Sequence, residues 1–186
     1  MKNVLAVLIG FFCLAVLQTT FVPDFFSFLS SIIGIDFLKN RTVDFLFLGL
    51  MYFVVHRKGM DVILWAVVIS LGAGSLGTAW AGALTASFFI TAAIAFIVSR
   101  QVLLEGKGPI ALFCTILTFV EGLIHLWMAK LLARIPEVFG GQFSELFFQS
   151  VLNGLLVFFV FGLFGFIDSL TQDSREQARS ELMLDL

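Results

Sequence analysis

The sequence predicts an all-α integral membrane protein of six transmembrane helices, with a short interfacial helix after the first span. Three observations carry this. Of 186 residues, 60% are hydrophobic and 13% charged, with a mean hydropathy of +1.05. A soluble domain holds about 45–50% apolar and about 25% charged residues, so the polar surface here is too small to cover one globular core. Uncharged runs of membrane-crossing length recur along the chain. Finally, 24 Phe stand against 3 Pro and 1 Tyr, a composition suited to lipid contact. Residues 1–186 read as one membrane domain, with 172–186 as a short charged cytoplasmic tail.

The first span is Val4 to Pro23, which carries no charge and has no small-x-small cleavage site at Leu17-Gln18-Thr19-Thr20. Asp24 to Leu38 comes next. Ser27, Ser30, Ser31 and Gly34 fall on one side of a helical wheel, opposite Phe25, Leu29, Ile32 and Ile33. So two-faced a segment fits the membrane surface better than its interior. Thr42 to His56 is the second span, about 22 Å long at about 1.5 Å per residue and therefore short for a bilayer. From Val62 to Ser99 there are 38 residues without a charge. That is too long for one helix, and the break is expected in Gly72-Ala73-Gly74-Ser75-Leu76-Gly77. The fourth span carries Ala79, Ala83, Ser87, Thr91, Ala95 and Ser99 at four-residue steps, a small-residue stripe that lets a neighbouring helix approach closely. Gly108 to Ala129 and Leu146 to Ile167 complete the six.

Lysine and arginine distribution sets orientation. With the N-terminus inside, seven basic residues lie on the cytoplasmic side (Lys2, Arg57, Lys58, Arg100, Lys107, Arg175, Arg179) and four outside (Lys39, Arg41, Lys130, Arg134). Both termini are therefore expected in the cytoplasm. A net charge of −2 gives no basis for nucleic-acid binding.

Ionisable groups inside a membrane are costly and are functional candidates by default. Glu121 lies near the middle of the fifth span. His125, one turn on, shares its side of the helix and can pair with it. Asn153 and Gln149 on the sixth span, and Gln18 and Thr19 on the first, reach comparable depths. Polar groups without water turn toward one another, so a polar-lined hollow is expected in the outer half of the bundle. Catalytic patterns are absent. Glu121 and His125 read E-x-x-x-H rather than the H-E-x-x-H of a zinc peptidase, and no G-x-S-x-G elbow or Walker A loop occurs. Cys13 and Cys114 sit inside apolar runs, away from any His cluster. No catalytic residue, metal or cofactor is expected.

Several short stretches resemble the rod shape-determining MreD family of bacteria. These are Leu17-Gln18-Thr19-Thr20-Phe21-Val22-Pro23, Val43-Asp44-Phe45-Leu46, Arg57-Lys58-Gly59 and Gly74-Ser75-Leu76-Gly77. The chain departs from the family pattern at Leu71-Gly72-Ala73, where an aspartate is usual, and at Val43, where a proline is. The resemblance implies a non-enzymatic scaffold of the cell-elongation machinery in the bacterial inner membrane, supporting peptidoglycan synthesis. Its implied partners are MreC and, further, MreB, RodA and its class B transpeptidase. The outer contact with MreC is expected at Phe25, Phe28, Leu29 and Ile32 and at Pro136 and Phe139, and a cytoplasmic contact at Arg57 and Lys58. The family is similar in architecture to the six-helix substrate-capturing subunits of energy-coupling-factor transporters. A vitamin-capturing membrane subunit is therefore the alternative reading.

Overall fold

A computed structural model describes residues 2–34, 43–56, 60–76, 81–102, 104–133 and 142–184. Every regular element among them is helical. They are α1 (Lys2–Val16), a π-helical turn (Leu17–Phe21), α2 (Val22–Ile33), α3 (Phe45–His56), α4 (Met60–Leu76), α5 (Ala81–Ser99), α6 (Lys107–Ala133) and α7 (Gln142–Leu184). Four stretches are long and apolar enough to cross a membrane: Val4–Ile33, Gly82–Ser99, Lys107–Leu131 and Gln142–Leu170. Two shorter apolar helices, α3 and α4, stand with them. The chain is thus a membrane protein of six helical rods. The end at which α1 begins is called proximal below, and the opposite end distal.

The first rod does not stop at Pro23. Proline lacks an N–H, and its ring collides with the carbonyl four residues back in a regular α-helix. The chain absorbs this by widening: Leu17–Phe21 is π-helical, and the Val22 N–H reaches back to the Leu17 carbonyl. Such local π adjustment is how proline is accommodated inside membrane helices. The expected separate interfacial helix is therefore a continuation of the first rod. It ends at Ile33, before the expected Leu38, because Gly34 takes a left-handed conformation (φ 71°) and its N–H closes on Ser30 O at 2.9 Å.

Helix α3 is the central post. Its sequence, FLFLGLMYFVVH, is apolar on every side, which marks a helix buried all round. Phe45 to Val54 are all buried, and α1, α4, α5, α6 and α7 all pack on it. Helices α1 and α3 run antiparallel, whereas α3 and α7 run parallel, Asp44 meeting Asn153 at one end and Tyr52 meeting Asp168 at the other. Phe11 of α1 meets Phe53 near the C-terminal end of α3, whereas Gln18 meets Leu46 near its start. Rings of Phe11, Phe53, Trp65 and Phe164 interlock at centroid distances of 4.9–6.0 Å. They close over Gly49, where an added Cβ would lie 2.6 Å from the Phe11 ring. Because lipid is as apolar as these side chains, dispersion from close packing holds the rods together, rather than hydrophobic exclusion.

The small-residue stripe of α5 is interior, with Ala83, Ser87, Thr91 and Ala95 buried where α5 packs against α3 and α6. Ala79 lies outside the described residues. So does Gly77; α4 passes Gly72 and Gly74 and ends at Leu76, within the expected break. There the Ser75 hydroxyl donates to Gly72 O at 2.7 Å. Between α6 and α7 the approach is close at Gly154, where an added Cβ would meet Thr115 and the Ala111 carbonyl. The backbone of α7 runs on helically to Leu184, so the charged tail extends the sixth rod.

Candidate functional site: a polar cavity at the buried start of α3

A twelve-residue helix spans about 18 Å, well short of the ~30 Å hydrocarbon core. With His56 at the proximal end, α3 must begin inside the bundle. Its first N–H groups have no intrahelical acceptors. Side chains take that role. Asp44 is the N-cap: its Oδ1 accepts from the Phe47 N–H at 3.0 Å, while its carbonyl accepts the first helical bond from Leu48 at 3.0 Å. The Leu46 N–H donates to Gln18 Oε1 at 3.1 Å, and the Asp44 N–H donates to Asn153 Oδ1 at 3.1 Å. Three segments distant in sequence thus converge on one helix terminus. Asn153 also reaches across to Thr118, Nδ2 to Oγ1 at 3.5 Å.

Above this terminus lies a cavity of about 290 Å³. Gln18 and Thr19 line it from the π-helical turn, Asp44 and Leu46 from α3, Ala73 from α4, Leu84 and Phe88 from α5. Glu121, Gly122 and His125 of α6 and Leu146 and Gln149 of α7 complete the wall. Its depth follows from helix rise. Glu121 stands fourteen residues beyond Lys107, and Asn153 fifteen before Asp168. At about 1.5 Å per residue both lie roughly 21–22 Å from the proximal charged level, past the midplane of a ~30 Å core.

The structure therefore brings Gln18, Thr19, Glu121, His125 and Gln149 onto one wall, with Asn153 buried beside it. The expected Glu121–His125 pair is not made. Glu121 Oε1 instead accepts from the Ser87 hydroxyl of α5 at 2.7 Å. His125 faces the Ala83 backbone, and its Nδ1 has no partner among the described residues. The cause is geometric: a serine on the small-residue stripe comes closer to the carboxylate than a ring one turn up the same helix. Thr19 returns its hydroxyl to Ala15 O at 2.8 Å.

Sequence reasoning missed Asp44 as a site residue. Charge just ahead of an apolar run reads as a membrane boundary, yet Asp44 is buried, touches the Gln18 amide and stands within electrostatic range of Glu121. The available signal was the brevity of the run behind it, which leaves the aspartate too deep to be a boundary marker.

Among the described residues no group of three His, Cys, Asp or Glu side chains is spaced to hold a metal ion. Chemically the site offers two carboxyl groups, two amides and an imidazole, and its lining includes no Lys or Arg among the described residues. Of the expected partner contacts, Phe25, Phe28 and Ile32 are exposed on α2 and Leu29 is half-buried. Pro136, Phe139, Arg57 and Lys58 lie outside the described residues. Comparison with known proteins returns no matching family model, curated protein or solved structure.

Proposed function

We propose that this chain is a non-enzymatic membrane scaffold of the bacterial cell-elongation machinery, of the MreD kind, which binds MreC and so supports peptidoglycan synthesis and rod shape. The observation that carries the reading is the overshoot of the first rod. From Lys2 to Ile33 it is continuous helix, about 48 Å at about 1.5 Å per residue, against a hydrocarbon core of ~30 Å. Its last part, α2, packs chiefly on the π-helical turn that it continues. There it presents Phe28 and Ile32, each 65% exposed, together with Phe25. Its other face buries Val22, Phe26 and Ser30, and the outward apolar ridge fits a partner surface.

The excess of Lys and Arg expected at the proximal end supports a cytoplasmic location for that end. Both termini are then cytoplasmic, the rods make six crossings of the inner membrane, and α2 faces the compartment that holds the body of MreC in the resembled family. MreB, RodA and its transpeptidase are further partners on this reading, with Arg57 and Lys58 available to the cytoplasmic ones. The test is co-expression with MreC of the same organism and affinity purification in mild detergent. MreC should co-purify, and Phe28→Glu with Ile32→Glu should abolish this while the bundle stays monodisperse. Recovery of the chain without MreC, or indifference to both substitutions, would overturn the proposal.

The cavity favours a second reading, a small-molecule-capturing subunit, since about 290 Å³ lined by amides and carboxyls can hold a small ligand. A vitamin-sized molecule retained through purification, with MreC absent, would select it.

A further inference from the structure

The polar cavity has an apolar neighbour. An apolar cleft of about 420 Å³ opens between α1 and α4, lined by Leu8, Phe11 and Phe12 on one side and Trp65, Val68 and Gly72 on the other. Leu46 and Ala73 line both spaces, so only these two side chains need shift for cleft and cavity to join. The cleft faces outward among lipid-exposed residues: Leu8, Phe12 and Val68 are all exposed. In a membrane, what reaches such an opening is a hydrocarbon chain. Apolar slot and polar end-chamber together have the shape of a site for one amphiphile.

We infer that the joined cleft and cavity bind a single-chain amphiphile with a cationic amine head, drawn sideways from the bilayer, its tail between α1 and α4 and its head beside Asp44 and Glu121. The sign of the head follows from the wall. Two carboxyl groups line the chamber, and no Lys or Arg among the described residues does. The N–H groups of Asp44, Leu46 and Phe47 are already engaged by Asn153, Gln18 and Asp44. An anionic head would therefore meet acidic groups and lack the helix-terminus donors that usually hold one. An ammonium head gains charge-assisted hydrogen bonds in a water-poor place. Volume agrees, for the two spaces together fall within the roughly 300–1,000 Å³ typical of ligand sites. The inference is independent of the scaffold reading, since MreC contact is placed on α2 and the amphiphile between α1 and α4.

Trp65 lines the cleft and supplies the probe. The chain holds 3 Trp, so Trp80→Phe and Trp127→Phe leave Trp65 as the reporter. The full chain is placed in phosphatidylcholine nanodiscs and titrated with a chain-brominated hexadecylamine, hexadecanol or hexadecanoic acid. The amine should quench Trp65 saturably, and at equal membrane fraction the alcohol and acid should quench only weakly and without saturation. Glu121→Gln, which keeps an acceptor for Ser87, should raise the half-saturating amine fraction roughly tenfold or more. Gly72→Phe should abolish saturable quenching. Nothing lies within 4 Å of a Cβ built at Gly72, so a side chain can start there toward the cleft; with an unchanged thermal unfolding midpoint as the check on folding, this variant decides the matter if Glu121→Gln proves unstable. Equal quenching by all three probes, quenching linear in probe for the amine, or an unchanged titration in Gly72→Phe would overturn the inference. None of these outcomes alters MreC co-purification, so the two proposals fail separately.

Discussion

Single residues at the start of α3 hold a helix terminus where water cannot. Asn153 is the most exacting of them: its amide oxygen takes the Asp44 N–H and its nitrogen faces Thr118, with no exposed surface of its own. Asn153→Leu should lower unfolding stability in detergent by about 1–3 kcal/mol, because a buried donor is left without an acceptor. Asp44 separates capping from charge. Asp44→Ala should cost about 0.5–2 kcal/mol, whereas Asp44→Asn keeps a side-chain oxygen for the Phe47 N–H and should stay within about 0.5 kcal/mol of the parent. Equal losses in both would mean that charge, not the cap, is what α3 needs. At this scale the sequence was partly legible. Glu121, Asn153 and Gln18 stand out because polar side chains are conspicuous in apolar runs. The partner of Glu121 does not, because Ser87 is one small residue among several on its stripe and only packing distance chooses it.

Helices meet where side chains are missing. At Gly49 a methyl group would press on the Phe11 and Phe164 rings, at 2.6 and 3.1 Å, and rigid rings boxed in by Phe53 and Trp65 have little room to yield. At Gly154 it would collide with Thr115 and approach the Ala111 carbonyl at 3.2 Å, which is backbone and cannot turn aside. Gly49→Ala and Gly154→Ala should each destabilise by about 1–3 kcal/mol through overpacking. Gly162, with open space around its Cβ position, should accept alanine without loss; thermal unfolding of the three variants in one detergent makes the comparison. Element positions were largely readable from charge-free runs, and element ends were not. Proline at position 23 reads as a stop, yet the rod passes it through a π-helical turn. The glycine-rich stretch 72–77 reads as a break, and α4 does end within it, at Leu76 rather than at Gly72, because glycine permits a bend without requiring one.

As a whole molecule, the bundle is a set of rods around one post whose helical part alone is shorter than the hydrocarbon core. That shortness is the origin of the site: where α3 fails to reach the distal face, its neighbours still rise past it, and the space left over becomes the cavity. The two cysteines report on this arrangement directly. Cys13 is exposed on α1 and Cys114 is fully buried on α6. In detergent, a maleimide should label Cys13 while sparing Cys114 until the protein unfolds, and two labels per folded chain would contradict the packing. The membrane class and the polar gathering were legible from composition and depth counting. The lateral cleft between α1 and α4 was not, since a gap between helices leaves no mark on either sequence.

Chemical cross-linking of α3 to α7 tests the buried start of the post most directly. In a background of Cys13→Ser and Cys114→Ala, Asp44→Cys is combined with Asn153→Cys, and Tyr52→Cys with Asp168→Cys serves as the register control taken from the 2.8 Å contact at the proximal end. A short bifunctional thiol reagent should join both pairs. Cross-linking of the control pair alone, with Asp44→Cys reacting instead with water-borne reagents, would place the start of α3 at the membrane surface and contradict this account.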